Sequence, residues 1–142
     1  MTGIEPAKGF DAARFCKRYL AEGHSAALGL RYVGSGDGWI ELVLPVRDGL
    51  RGFDGDLSDA AVTSLLDMAG TISVWVKSGA WCPHATLDMR MDWIRDFSPD
   101  TELLGRACCE VIRGDIAYVT GEAHDAENRR LARFTATYMM TG

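Results

Sequence analysis

From His84 to Met140 the chain is written almost wholly in period-two segments, and that run restricts the fold more than any other feature. HATLDMRMDWIRDF alternates Leu87, Met89, Met91 and Trp93 against Thr86, Asp88, Arg90 and Asp92. TELLGRACCEVIR follows a Pro99-Asp100 turn, and IAYVTGEAHD follows Gly114-Asp115. RLARFTATYMM follows AENR and sets Ala132, Phe134, Ala136, Tyr138 and Met140 on one face. Connections this short admit no helical crossover, so the last three segments form an antiparallel meander.

Such a sheet needs a second layer over its apolar face. SDAAVTSLLDMAGTISVWVK predicts a helix over about 58–77. Ser58 can cap it, with Asp56 as the alternative, and Asp59 suits the positive end of its dipole. Val62, Leu65, Leu66, Ala69, Ile72, Ser73 and Val76 fall on one side; Thr63, Ser64, Asp67, Gly70, Thr71 and Val74 fall on the other. The second side carries no Lys, Arg or Glu, whereas a solvated face normally carries long charged side chains. It reads as a face built for close approach, by a ligand or by a second helix. Asp67 is its one carboxylate, and either faces water or is kept there for chemistry.

Upstream, LGLRYV and WIELVLPV read as strands flanking GSGDG, a glycine-rich hairpin turn. That turn lacks the Lys-Ser/Thr ending and following helix of a phosphate loop. FDAARFCKRYLAEG predicts a helix over about 10–22, ending at Gly23 and packed as a lid on the edge of the fold. The whole order is helix, hairpin, long helix, four strands. It predicts an α+β fold in which a six-stranded antiparallel sheet wraps around the long helix, as a single domain over 1–142.

Several classes of function are disfavoured. A net charge of −5 does not suit a protein that binds nucleic-acid phosphates. No apolar run approaches the roughly 20 residues of a membrane span, and the first residues do not read as a signal peptide; a cytoplasmic location is expected. The four cysteines include no CxxC pair, and Cys82 with His84 offers two ligands where a metal site needs more, so no metal and no cofactor are expected. His24, His84 and His124 read as surface or structural residues, any of which can reach a site in the fold. Ser58 has no histidine nearby in sequence to act as its base, so it reads as a cap rather than a nucleophile.

The order of elements, with SLLDMAG in the helix, ATLDMRMDWIRDF in the next strand and LARFTATYMM at the end, resembles the hotdog-fold acyl-CoA thioesterases of the phenylacetate-pathway type. Members of that family show Leu-x-Asp-x-Ala in the helix and Thr-x-Asp-x-x-x-x-Phe-x-Arg-Pro in the strand. The resemblance implies that Asp67 is the general base or nucleophile and that Thr86 places the water. It implies that the backbone N–H of Asp59 polarises the thioester carbonyl. Ser58, Ala60 and Thr71 would then lie along the substrate. Arg95 and Arg113 would meet the phosphates of coenzyme A, unless they are merely solubilising. Family members carry His-Gly-Gly where this chain has Ser58-Asp59-Ala60, so the imidazole is missing and a charge stands at the carbonyl-binding position.

The implied function is hydrolysis of an acyl- or aryl-CoA thioester. The alternative is a catalytically impaired module that binds acyl-CoA or serves for dimerisation. A hydratase of related fold is weaker, because it expects a histidine on the central helix. Open sheet edges and the small-residue helix face need covering, so a homodimer or homotetramer is expected.

Overall fold

The computed structural model describes residues 10–94 and 98–141. Three helices precede or interrupt the strands: α1 (Ala12–Tyr19), α2 (Gly23–Leu28) and α3 (Asp59–Ser78). The strands are β1 (Arg31–Ser35), β2 (Trp39–Pro45), β3 (His84–Trp93), β4 (Glu102–Arg113), β5 (Ile116–Asp125) and β6 (Arg130–Met140). They form one antiparallel sheet in the order β1-β2-β4-β5-β6-β3. The meander β4-β5-β6 follows from its short turns, and α3 packs mainly on β4, β2 and β5. The expected layering and strand count are present.

The long helix begins one residue later than the sequence pattern places it, with Ser58 as its cap. The Ser58 hydroxyl accepts from the Ala60 N–H at 3.2 Å. Leu65, Leu66, Ala69 and Ile72 are fully buried against the sheet. The expected division into two sides needs correction, because Val74 is also fully buried and Gly70 is buried. Phe134 and Tyr138 of β6 reach around the helix and cover Gly70. Only Thr63, Ser64, Asp67 and Thr71 of that side stay partly open.

The helix expected over 10–22 is α1, and a second short helix, α2, follows it. Asp11 caps α1 by accepting from the Arg14 N–H at 3.1 Å, and Ala12, Cys16 and Leu20 form its buried face. Gly23, with φ of 62°, follows the end of α1 as expected, and α2, which the sequence pattern did not predict, starts there. The Arg47 guanidinium donates to the Ala27 carbonyl and ties α2 to the chain beyond β2.

In β3 the alternation is broken by a bulge between Thr86 and Asp88. Thr86 stands opposite Tyr138, whereas Met89 stands opposite Ala136 and Met91 opposite Phe134. Directly paired residues share a face, so Thr86, Met89 and Met91 all face the helix. A bulge inserts one residue and reverses the parity on one side of it. Leu87 is the inserted residue and is 53% exposed, contrary to its expected place beside Met89 and Met91.

The outer face carries a ladder of alternating charge. Glu41, Arg106, Glu122, Arg133 and Asp92 stand side by side on β2, β4, β5, β6 and β3. Opposite charges on directly paired residues favour this register by a few tenths of a kcal/mol up to about 1 kcal/mol each. The ladder ends at β3, which has a neighbour on one side only.

Candidate active site

The one carboxylate on the open side of α3 is held by two strands. Asp67 Oδ1 accepts from the Thr86 hydroxyl at 3.0 Å and from the Tyr138 hydroxyl at 3.1 Å. The β3 bulge turns Thr86 inward; Tyr138 reaches Oδ1 from the adjacent position on β6. The Tyr138 hydroxyl also lies 3.3 Å from the Asp67 carbonyl oxygen. Its single proton goes to the stronger acceptor, the carboxylate.

Tyr138 is completely buried. Burial first, then the Asp67 charge and the bond to it, push its phenol well above the ordinary tyrosine range, and the Thr71 hydroxyl opposes this only in part. Tyr138 is therefore a donor and not an acid at any ordinary pH. Tyr19 of α1 is raised in the same direction, by burial and then by the Asp67 charge, which puts the end of α1 on the same side of α3 as the carboxylate.

His84 completes this region. Its Nε2 donates to the Thr71 carbonyl at 3.2 Å, and its ring meets Tyr138 edge-on at 5.3 Å. Burial lowers its pKa, although the Thr71 carbonyl and the Asp67 charge pull the other way. A neutral ring bonded in this way is a wall that fixes Thr71 and Tyr138. Trp75 packs on the other side of it, with His84, Phe15 and Tyr19 at 5.1, 5.1 and 5.5 Å. An apolar cleft of about 570 Å³ opens beside Phe15, Tyr19 and Trp81.

The helix start is a separate place. Ser58, Ala60 and Ser64 line a cavity of about 270 Å³ with His24, Leu28 and Leu50. His24 Nε2 lies 3.1 Å from the Ser64 hydroxyl. Asp59 is exposed, and its N–H belongs to the first-turn donors that a helix cannot pair internally. Eight positions separate it from Asp67, a rise of about 12 Å. One carbonyl carbon cannot lie within bonding reach of both in the same chain.

Of the residues expected in the site, the structure thus brings together Asp67, Thr86 and Thr71. It leaves Ser58, Asp59 and Ala60 a distance along the helix. Arg113 is exposed at the end of β4, three strands from Thr86, about 14 Å across the sheet. Arg95 lies outside the described residues. Tyr138 was missed as a site residue, as was His84 as part of the wall. Among the described residues no three His, Cys, Asp or Glu side chains gather closely enough to hold a metal ion, and no helix is long and apolar enough to cross a membrane.

No protein-family model matches the chain, and no curated protein matches it in sequence. Solved structures do match. A conserved protein of Pseudomonas aeruginosa superposes with a TM-score of 0.78 at 24% identity, over 84% of this chain and 94% of that one. The PaaI protein from the phenylacetic acid degradation operon of E. coli gives 0.77 at 15% identity, over 92% of this chain and 91% of that one. The zebra fish thioesterase superfamily member 2 gives 0.78 at 17% identity, over 89% and 94%. The chain has the hotdog fold that its helix and strand motifs imply.

Proposed function

We propose that this protein hydrolyses an acyl- or aryl-CoA thioester to the free acid and coenzyme A. The observation that carries the reading is the Asp67 carboxylate, alone on its helix face, with one oxygen fixed by Thr86 and Tyr138 and the other without a donor among the described residues. Such a group can take a proton from water as the water attacks the thioester carbonyl. The carbonyl oxygen gains charge, the tetrahedral intermediate collapses, and the thiolate leaves and is protonated. The same carboxylate can instead attack the carbonyl itself, giving an anhydride that water then opens. The names of the structural neighbours, thioesterases among them, favour this chemistry.

The carbonyl oxygen needs a donor, and the Asp59 N–H of the same chain is too far from Asp67 to supply it. A second copy can supply it from its own helix start, so the reading requires at least a dimer. The one-sided strand β3 and the partly open stripe Thr63, Ser64, Asp67 and Thr71 are the surfaces a second copy would cover. Light scattering that finds a monomer at micromolar concentration counts against the two-chain site.

A second reading has one observation in its favour. Asp59 is exposed, and the family resemblance places it at the carbonyl-binding position, where its charge would oppose a developing negative charge. On that reading the protein binds a CoA ester without turning it over. Thiol release from a panel of CoA thioesters separates the two. Hydrolysis that falls by about 10² or more in a folded Asp67→Asn protein supports the first; an unchanged rate removes its central residue.

A further inference from the structure

We propose that Tyr138 is a positioning residue that fixes Asp67 Oδ1 and so presents Oδ2 as the oxygen that receives the proton. The proposal rests on the hydrolytic reading above and goes beyond it by assigning separate tasks to the two carboxylate oxygens. In a free aspartate they are equivalent, because the carboxylate turns about its Cβ–Cγ bond. Here both donors end on Oδ1: Tyr138 at 3.1 Å and Thr86 at 3.0 Å. Among the described residues no donor reaches Oδ2.

The two donors are not equal in persistence. Thr86 is exposed, and water competes for both partners of its bond. Tyr138 has no solvent access, so its hydroxyl has no water to turn to, and the other acceptor within its reach, the Asp67 carbonyl oxygen at 3.3 Å, is the weaker one. Its ring cannot swing away. His84 meets it edge-on at 5.3 Å, and Phe134 lies two positions back on the same inner face of β6. Gly70 is what allows the hydroxyl to come this close to the helix, since a Cβ there would overlap the phenol oxygen. Because the phenol stays protonated, it can donate to the carboxylate and cannot take the proton that Oδ2 must receive.

The test is Tyr138→Phe, which removes the oxygen and keeps the ring. With the thioester that the wild type turns over best, kcat should fall about 10–100-fold, the range seen when an outer partner of a reacting group is lost, while KM stays within about two-fold. In an Asp67→Asn background the same change should alter the residual rate by less than about two-fold, because its effect passes through the carboxylate. A full wild-type kcat in folded Tyr138→Phe overturns the proposal. So does an equal loss in both backgrounds, which is what a merely structural role would give.

The grip is also read without turnover. Tyr138→Phe should lower the urea midpoint in the wild type and much less in Asp67→Ala; equal lowering in both overturns the proposal. A wild type inactive toward every thioester, with that coupling intact, overturns the hydrolytic reading while supporting the hold of Tyr138 on Oδ1.

Discussion

Replacing Gly70 by alanine should destabilise the protein, although the change improves the helix. In an exposed helix interior, alanine is favoured over glycine by about 1 kcal/mol. At Gly70 the added Cβ would overlap the Tyr138 hydroxyl and stand 3.0 Å from Cζ and 3.3 Å from Phe134 Cε2. Forcing a methyl into a packed site costs about 1–3 kcal/mol. Pushing the phenol aside also breaks its bond to a charged acceptor, worth about 1.5–3 kcal/mol. Allowing for the gain in helix propensity, the net loss lies between about 1.5 and 5 kcal/mol. At about 3 °C per kcal/mol for a chain of this size, Tm should drop by about 5–15 °C. Urea unfolding measures the loss directly. Tyr138→Phe removes the overlapping atom, so the double variant Gly70→Ala/Tyr138→Phe should be more stable than Gly70→Ala alone. A Gly70→Ala protein as stable as the wild type would refute the packing argument. So would a double variant that is less stable than the single one.

Three other perturbations test other parts of the reading. In a thiol-release assay Asp59→Gly should raise turnover, and Ser58→His with Asp59→Gly should raise it further; unchanged rates would mean that this helix start does not face the substrate. Deleting Leu87 removes the inserted residue and leaves Thr86 inward, opposite Tyr138 and directly before Asp88, so a folded deletion variant should keep hydrolysis within about 10-fold of the wild type; a larger loss would refute the reading of Leu87 as the inserted residue. Asp125 accepts from the N–H of Glu127 at 3.1 Å and from the N–H and Nε of Arg129, both at 2.7 Å, so Asp125→Ala should cost about 1–3 kcal/mol in urea unfolding at neutral pH. Burial pushes the Asp125 carboxyl up, but the bonds from Arg129 and Glu127 outweigh it and hold the group below the usual carboxylate range. A depressed folded value means that stability is present above the unfolded value and lost as pH falls through the folded one. The gap between wild type and Asp125→Ala should therefore close in acid, and a gap that widens below pH 4 would contradict the sign.

What the sequence makes legible is what has a long period. The strands of the meander and the 20-residue helix repeat their pattern often enough to be read, down to the inward set Phe134, Ala136 and Tyr138. The six residues of α2 offer less than two turns and no period at all. Gly70 and Val74 were misplaced for a different reason. Helical spacing marks one stripe for burial, but a sheet that wraps the helix covers more than one stripe, and Phe134 and Tyr138 of β6 cover Gly70. Asp67 stood out as the one carboxylate on an otherwise uncharged helix side, and the family motif gave it a role; Thr86 was legible only through that motif. Tyr138 carried a signal of its own, because a tyrosine on a buried face needs an acceptor for its hydroxyl, and Asp67 was the one carboxylate on the small-residue side of the helix.

The β3 bulge was hidden by the inserted residue itself. Leu87 is apolar and continues the letters of the alternation through Met89, Met91 and Trp93, while the backbone changes parity beneath it. A polar residue at position 87 would have broken the pattern and revealed the shift. Reading the alternation straight through sends Thr86 to the outer face with Asp88, Arg90 and Asp92. The bulge sends it inward, opposite Tyr138 and onto Asp67 Oδ1. The outer ladder limits where that extra residue can sit. Asp92 must stay opposite Arg133, and Met91 opposite Phe134, to keep charge outside and apolar side chains inside. The added residue is therefore absorbed on the His84 side of this pairing, next to the carboxylate. The same one-residue shift that spoils the pattern in the sequence places the second donor on Asp67.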